Sequence, residues 1–361
     1  MSFCLAHVLA GYQPVHCLDD GVILWRRGTL YRADFALTRL ERLCDLPTRS
    51  AILTRFAPSL IARILRFGIR SSALIDDDLL LVAQRGTIFA VSMAKGTWRV
   101  DFQIPEGRRL LSLSAIETDG GDRIACFGDY FHNRDGAEVG IWRRSPGIDG
   151  IWARSAAFAS GQVDHVHAIV QTRDRRVWVL TGDLAQAAGI WRSDPALEQL
   201  EPVATGAQMY RACWLWQAPD GICHYATDSN VAENRHMSFA DPGAIEAGAL
   251  LRGSAIYAGE GDGYVAFSTS IEPGEPTGKM IRDFTTRRPG PGAIGDCADI
   301  HVIEDGQLSR VFSARMDGWP LRLAQFASFS FPCGAMPADR FYAFGRAVRG
   351  CDGDCLVFER D

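Results

Sequence analysis

The chain has 361 residues and a formal net charge of −5, with 38 Lys and Arg residues against 43 Asp and Glu residues. No basic stripe stands out, which argues against nucleic-acid binding because such proteins need clustered cations to neutralise phosphates. No apolar run approaches the roughly eighteen residues of a membrane span, and the N-terminus lacks the leading positive charge of a signal peptide. A cytoplasmic protein without a membrane span is therefore expected.

The first ninety residues carry hairpin patterns interrupted by one short helical pattern. Apolar runs at Val22 to Trp25 and at Leu79 to Ala83 each end at an Arg-Gly pair and lead into a second run rich in β-branched and aromatic residues. Between them, apolar side chains recur at helical spacing behind Pro58. The sequence predicts strand pairs here, with one short helix near 58–65.

The middle of the chain contains an internal repeat. Phe127 to Asp129 and Thr181 to Asp183 each close a short apolar run, and each is followed by Gly-Ile-Trp-Arg, at Gly140 to Arg143 and at Gly189 to Arg192. The unit recurs after roughly 50 residues, the length of one four-stranded blade of a β-propeller. Looser copies of the same pattern end near residues 228 and 270.

These repeats predict an all-β fold, a β-propeller that occupies residues 1–361 as a single domain. Five blade units are clear, and a sixth closes the ring by pairing C-terminal strands, at Phe341 to Val348 and Cys355 to Phe358, with the N-terminal segment. Six blades are the preferred count. Seven are the alternative, because Ser309 to Arg315 can be either outer strands of the preceding blade or a blade of its own.

The ten cysteines are scattered, and no two Cys-x-x-Cys pairs occur to suggest a zinc site. Cys351 and Cys355 flank a tight Asp-Gly-Asp turn. Because cytosolic proteins rarely keep disulfides, reduced structural thiols are expected.

Ionisable and polar residues are densest between Gly128 and Asn230, at the points where predicted strands begin or end. His165 and His167 are two residues apart on one strand and so face the same side, where a pair of imidazoles can bind a divalent metal or a sugar. In a propeller, equivalent strand ends of successive blades approach one axis, so we expect these groups to share a funnel. The candidate residues are Asp129, Tyr130, His132, Asn133, His165, His167, Asp183, Tyr210, Arg211 and Asp228.

The runs at 127–133, 165–169, 178–183, 189–193, 206–212, 227–229 and 268–272 resemble the BNR/Asp-box, sialidase-like β-propeller proteins of bacteria. The resemblance implies a propeller fold and a glycosyl hydrolase-like protein of the polysaccharide-cluster type. A degenerate Asp-box at Ser145 to Trp152 would be a structural turn without a catalytic role. Of the arginine triad of true sialidases, Arg211 and Arg315 are two candidates and no third is found, so sialic acid is not the predicted substrate.

Three functions remain open for a partner that is an oligosaccharide or polysaccharide. In the preferred one, a glycoside hydrolase, two of Asp129, Asp183 and Asp228 act as general acid and as base or nucleophile. The alternatives are a non-catalytic glycan-binding propeller and a uronate lyase. In the lyase, Tyr130 or a histidine removes a proton, and Arg211 or a divalent metal held by His165 and His167 neutralises charge.

The roles expected from the sequence are therefore as follows. Catalytic roles fall on Asp129, Tyr130, His167, Asp183 and Asp228, and substrate-binding roles on His132, Asn133, His165, Tyr210, Arg211 and Arg315.

Overall fold

The computed structural model of the protein describes residues 2–48, 51–241 and 243–361. Within them, 28 strands form seven four-stranded sheets, the blades of a seven-bladed β-propeller. Numbered along the chain, the strands are β1 (Phe3–Leu9), β2 (Gln13–Leu18), β3 (Gly21–Arg26), β4 (Thr29–Ala33), β5 (Leu40–Asp45), β6 (Ser71–Leu74), β7 (Leu79–Gln84), β8 (Thr87–Ser92), β9 (Thr97–Gln103), β10 (Ser114–Glu117), β11 (Arg123–Gly128), β12 (Val139–Arg144), β13 (Trp152–Phe158), β14 (His165–Gln171), β15 (Val177–Gly182), β16 (Gly189–Ser193), β17 (Leu200–Thr205), β18 (Trp216–Gln217), β19 (Cys223–Ala226), β20 (Asn234–Phe239), β21 (Glu246–Leu251), β22 (Ser254–Gly261), β23 (Tyr264–Ser270), β24 (Cys297–Glu304), β25 (Gln307–Arg315), β26 (Ser328–Ser330), β27 (Arg340–Arg346) and β28 (Cys355–Arg360).

The structure shows the predicted all-β propeller class, but the preferred count of six blades is wrong. Of the N-terminal segment, only β1 pairs with the C-terminal strands, in the sheet order β1-β28-β27-β26. The next four strands, β2 to β5, form a complete blade of their own. The six-blade count treats these two sheets as one blade. Ser309 to Arg315, the segment on which the alternative count rested, lies inside β25, the outer strand of the β22–β25 blade.

Three short α-helices lie in the connections: α1 (Ala51–Phe56), α2 (Ser59–Ile64) and α3 (Met280–Thr285). The helix expected near 58–65 is α2, with Pro58 at its N-cap. The sequence did not predict α1 or α3. Each has six residues, fewer than two turns, and unlike α2 neither begins directly after a proline that marks a helix start. Single 3₁₀ turns lie at Ala185–Ala187 and Gln208–Tyr210.

All ten cysteines are free thiols. Among the described residues, no helix is long and apolar enough to cross a bilayer.

The chain divides into two compact units. The first comprises residues 1–69, 228–235 and 249–361, and the second comprises residues 70–227 and 236–248. In the first unit, the β1 and β28 sheet is packed through aromatic side chains, with the rings of Phe341 and Phe358 stacked at 4.5 Å. Tyr264 is fully buried beside them, and its hydroxyl donates to the carbonyl oxygen of Arg340 at 2.7 Å.

In the second unit, the blades show a gradient of burial from inner to outer strands. Every residue of β7 and of β15 is buried, whereas β9 and β17 are mostly exposed or half-buried. A strand buried on both faces reads as a continuous apolar run, which explains the Val-Trp-Val-Leu sequence of β15. Polar groups within these inner strands are consequently confined to their ends, where the candidate residues lie.

Candidate functional site

Two histidines of β14 lie side by side at the start of that strand. β14 pairs with β15, beginning with His165 opposite Gly182. The register shifts between Val166 and Ala168, so that His167 has no partner on β15. Such a bulge re-aims a side chain. The result is that the imidazole Nε2 atoms of His165 and His167 lie 3.1 Å apart, and both residues are almost completely buried.

The other nitrogen of each ring is fixed by a backbone carbonyl. His165 Nδ1 lies 3.0 Å from the carbonyl oxygen of Phe131, and His167 Nδ1 lies 2.9 Å from that of Ala212. A carbonyl can only accept, so each Nδ1 is the donor, and in a neutral ring the lone pair is then on Nε2. Two Nε2 lone pairs therefore face the same small space.

Asp183, directly after β15, brings a carboxylate to the same space. Its Oδ1 lies 3.2 Å from Nε2 of His167, 3.4 Å from Nε2 of His165 and 2.8 Å from Nη2 of Arg211. We call His165, His167 and Asp183 the His–Asp cluster. The two histidine side chains are only 4% and 1% exposed, whereas that of Asp183 is 39% exposed, so the cluster opens to solvent at the carboxylate.

The Asp183 backbone is also held. Its carbonyl oxygen accepts hydrogen bonds from Gln208 Nε2 at 2.8 Å and from Arg211 Nη1 at 3.2 Å. Its N–H and that of Leu184 donate to the Asp164 carboxylate, at 3.2 and 2.9 Å. Arg211 is thus engaged twice with Asp183, and its contribution is to position that residue.

The Asp183 carboxyl is ionised at neutral pH. Burial alone would raise its pKa, but the adjacent rings of His165 and His167 and the positive charge of Arg211 outweigh burial and hold the pKa well below its usual range. A carboxyl with this pKa cannot serve as a general acid near pH 7.

Gly182 makes the close approach of strand and imidazole possible. A Cβ atom at this position would lie 2.5 Å from Cε1 and 3.0 Å from Nε2 of His167, and 3.1 Å from Cγ of Arg211. The Gly182–Asp183 peptide bond is cis. Glycine is therefore required here by space, and the Thr-Gly-Asp sequence at the end of β15 is part of the site.

Two further side chains border the cluster. The ring of Tyr130 lies against that of His165, with centroids 4.3 Å apart. On the other side, Cys213 Sγ lies 3.3 Å from Nδ1 of His167. The phenol is half-buried and the thiol is buried, so Tyr130 is the better placed of the two to meet a ligand.

Asp129, the counterpart of Asp183 in the sequence repeat, has a different environment. Its side chain is 3% exposed and is paired with Arg108 at 2.6 Å. The carboxylate also accepts the Gly140 N–H at 2.9 Å and the Trp142 indole N–H at 3.1 Å. A carboxylate with these three donors is satisfied, and it ties two strands of its blade together.

The remaining candidates are spread over several environments. Asn133 closes its own loop, donating to the Ala137 carbonyl at 2.8 Å, and His132 is exposed. Tyr210 packs against a core of the second unit. Asp228 is buried and belongs to the first unit, as does Arg315, which is exposed and paired with Asp296 at 2.6 Å. The structure thus groups His165, His167, Asp183, Arg211 and Tyr130.

Asp164, Gln208 and Arg108 were not among the residues predicted from the sequence. Asp164 immediately precedes the histidine pair, and Gln208 lies three residues before Arg211. Their closeness in sequence to predicted site residues is the signal that could have identified them. Arg108 carried no signal, because it lies in a connection and reaches Asp129 from 21 positions away.

The His–Asp cluster has the donor set and spacing of a divalent-metal site. One atom from each residue can be chosen so that all three lie within 4.8 Å of one another. Two ligand atoms about 2.1 Å from one ion lie roughly 3.0 Å apart at an octahedral angle and roughly 3.4 Å apart at a tetrahedral angle. The observed separations of 3.1, 3.2 and 3.4 Å fall in that interval.

No family model matches the chain, and no curated protein matches it. Among solved structures, it is similar to the WD40 β-propeller domain of Doa1, with a TM-score of 0.56 and 12% identity over 100% of this chain and 98% of that one. It is also similar to an oligogalacturonate lyase in complex with manganese, with a TM-score of 0.53 and 12% identity over 98% and 90% of the two chains. It is similar as well to a chain of the mitotic checkpoint complex, with a TM-score of 0.55 and 10% identity over 99% of this chain and 92% of that one. None of the three is a sialidase, and at these identities the similarity shows the propeller fold alone.

Proposed function

We propose that the protein is a carbohydrate-active propeller that cleaves a uronate-containing oligosaccharide by β-elimination, with a divalent cation at the His–Asp cluster. The observation that carries the proposal is the convergence of two histidine Nε2 atoms and one carboxylate oxygen within 3.4 Å, at a point open to solvent. Imidazole and carboxylate together suit first-row divalent metals such as manganese or zinc.

The glycoside hydrolase predicted from the sequence needs a carboxylic acid that can protonate a leaving oxygen. Asp183 is ionised, because its pKa is held well below the usual range. Asp129 is buried in its ion pair with Arg108, out of reach of a substrate. Asp228, the third candidate, is also buried, with 3% of its surface exposed. With none of the three carboxylates placed to act as the acid, the lyase alternative fits the cluster better.

A lyase needs a group that neutralises the uronate carboxylate and a base that takes the proton next to it. A cation held by His165, His167 and Asp183 would supply the first, because it would neutralise the substrate carboxylate. Arg211 cannot fill that role, because it is committed to Asp183; its role is to position the Asp183 carboxylate.

Tyr130 is the base in this proposal, since its ring packs on His165 at the edge of the cluster. Once its own proton has passed to solvent, the phenolate oxygen takes the proton from the carbon that bears the carboxylate and becomes a phenol again. The electron pair of the broken carbon–hydrogen bond forms a carbon–carbon double bond as the glycosidic carbon–oxygen bond on the neighbouring carbon breaks. The leaving oxygen takes a proton from solvent.

A solved structure of the same fold supports the choice of chemistry. That protein is an oligogalacturonate lyase and was determined in complex with manganese. It shows that a propeller can carry a lyase and can hold this metal, and an acidic oligosaccharide is therefore the first substrate class to test.

The test measures the unsaturated product directly. Oligomers of galacturonate, glucuronate and mannuronate are incubated with the protein and Mn²⁺, and ultraviolet absorbance from the new double bond is followed in parallel with a reducing-end assay. We expect both signals with at least one oligomer, and a loss of about a hundredfold or more in Asp183→Asn and in Tyr130→Phe. The controls are Asp119→Asn, at an exposed turn, and His7→Gln, on the exposed face of β1.

New reducing ends without new ultraviolet absorbance would contradict the lyase proposal and would favour the glycoside hydrolase instead. Oligosaccharide binding without either product would leave the glycan-binding alternative in its place. Full activity in Asp183→Asn would remove the His–Asp cluster from the reaction.

A further inference from the structure

The short helices of the first unit carry an unusual concentration of exposed apolar side chains. In α3, Met280 is 72% exposed and Ile281 is 78% exposed, and Phe284 is also more than half exposed. In α1, Phe56 is 68% exposed. Water-exposed residues of this size are normal singly, but a contiguous group marks an interaction surface. The exposed members are Leu53, Phe56, Ile61, Leu65, Met280, Ile281, Phe284, Trp319 and Leu323.

Side-chain and backbone contacts link α2 and α3 through the loop at residues 317–325, and α1 directly precedes α2 in the chain. Arg63 of α2 pairs with Asp317 at 2.6 Å, and Gln325 Nε2 donates to the Arg63 carbonyl at 2.6 Å. In the same loop, the Leu321 N–H donates to the carbonyl of Thr286, directly after α3, at 2.9 Å. The loop at 317–325 therefore bridges α2 and α3. We call α1, α2, α3 and this loop the apolar–basic patch.

The charges around the apolar side chains are almost all positive. Lys279, Arg282, Arg287 and Arg288 are exposed around α3, and Asp283 is the single acid between positions 279 and 288. Residues 53–66, which hold most of α1 and all of α2, contain no acid and add the exposed Arg55 and Arg66; the buried Arg63 is neutralised by Asp317. This is the reverse of the whole chain, whose net charge is −5.

We propose that the apolar–basic patch docks on the surface of an anionic phospholipid bilayer. Interfacial membrane binding combines apolar side chains, which enter the headgroup region, with flanking Lys and Arg residues, which attract anionic lipid. The exposed apolar side chains of α3 and the exposed cations that flank them in the chain provide that combination. This inference is independent of the chemistry at the His–Asp cluster.

The test is co-sedimentation of the full-length protein with vesicles. Vesicles of phosphatidylcholine alone are compared with vesicles that also contain phosphatidylglycerol. We expect binding to the second and little to the first, weakened by added salt because surface charges are screened. Ile281→Ser combined with Phe284→Ser should lower the apparent partition coefficient at least about tenfold. Arg282→Glu should also lower it.

Matched controls make the same chemical changes elsewhere. Ile148→Ser with Ile151→Ser removes two exposed apolar side chains from the β12–β13 turn, and Arg173→Glu reverses an exposed charge on the β14–β15 hairpin. Both controls should bind vesicles like the unmodified protein. Because every substituted side chain is exposed, thermal unfolding should be unchanged in all four variants.

Equal binding to neutral and anionic vesicles, or no binding to either, would overturn the proposal. So would unchanged vesicle binding in Ile281→Ser with Phe284→Ser. A concentration-dependent dimer that the same double variant abolishes, with no lipid binding, would assign the patch to a second copy of this chain instead.

Discussion

Replacing Gly182 by alanine tests the packing that builds the His–Asp cluster. The new Cβ would lie 2.5 Å from Cε1 of His167 and 3.1 Å from Cγ of Arg211, well inside ordinary contact. His167 has little freedom to retreat, because it is 1% exposed and its Nδ1 is bonded to the Ala212 carbonyl. Overpacking of this kind lowers the free energy of unfolding by about 1–3 kcal/mol. Since the clash falls on two residues of the site, Mn²⁺ affinity should drop about tenfold or more.

Urea unfolding and calorimetric titration with Mn²⁺ give the two readouts. The matched control is Gly120→Ala, where the nearest atom to the new Cβ is Thr118 Oγ1 at 3.8 Å. The control should leave both the free energy of unfolding and the Mn²⁺ affinity unchanged. Equal stability and equal Mn²⁺ affinity in Gly182→Ala and the unmodified protein would refute the close packing of Gly182 on His167.

Two other predictions concern parts of the second unit outside the cluster. Arg108→Gln leaves the buried Asp129 carboxylate without its cation and should lower the free energy of unfolding by about 3 kcal/mol. The Mn²⁺ affinity should not change. Loss of Mn²⁺ binding with unchanged stability would contradict a structural role for this ion pair. Burial lowers the pKa of His236 to about 4 from 6.5, so the unfolded chain binds the proton more readily and stability should fall as pH drops from 6.5 towards 4. The loss should reach roughly 3 kcal/mol in urea unfolding and should shrink in His236→Gln; an identical pH dependence in that variant would contradict it.

The sequence predicted the fold class because strand signals are local. Alternating or continuous apolar runs and glycine turns recur in each blade, and they need no knowledge of distant contacts. The blade count depends on a non-local pairing, that of β1 with β28, which no local pattern reports. The hairpin at Val22 to Trp25 was therefore merged with the closing sheet instead of being counted as a blade.

For the candidate site too, local patterns predicted some features and long-range contacts decided the others. His165 and His167 were found from their spacing, and Asp183 from its position at a strand end. The sequence gives Asp129 and Asp183 the same local setting, Gly-Asp after a buried strand. Their environments differ because Arg108 reaches Asp129, whereas Arg211 and two imidazoles reach Asp183. Side chains brought from distant positions decide which acid is structural, and the repeat cannot show this.

Metal stoichiometry is the most direct test of the account. The purified protein is stripped with a chelator, loaded with Mn²⁺, passed over a desalting column and analysed for metal by mass spectrometry, beside His167→Gln, Asp183→Asn and the control His7→Gln. We expect one ion per chain in the unmodified protein and the control, and none in the two cluster variants. Absence of tightly bound metal in the unmodified protein, or one ion per chain in both cluster variants, would contradict a cation site at His165, His167 and Asp183.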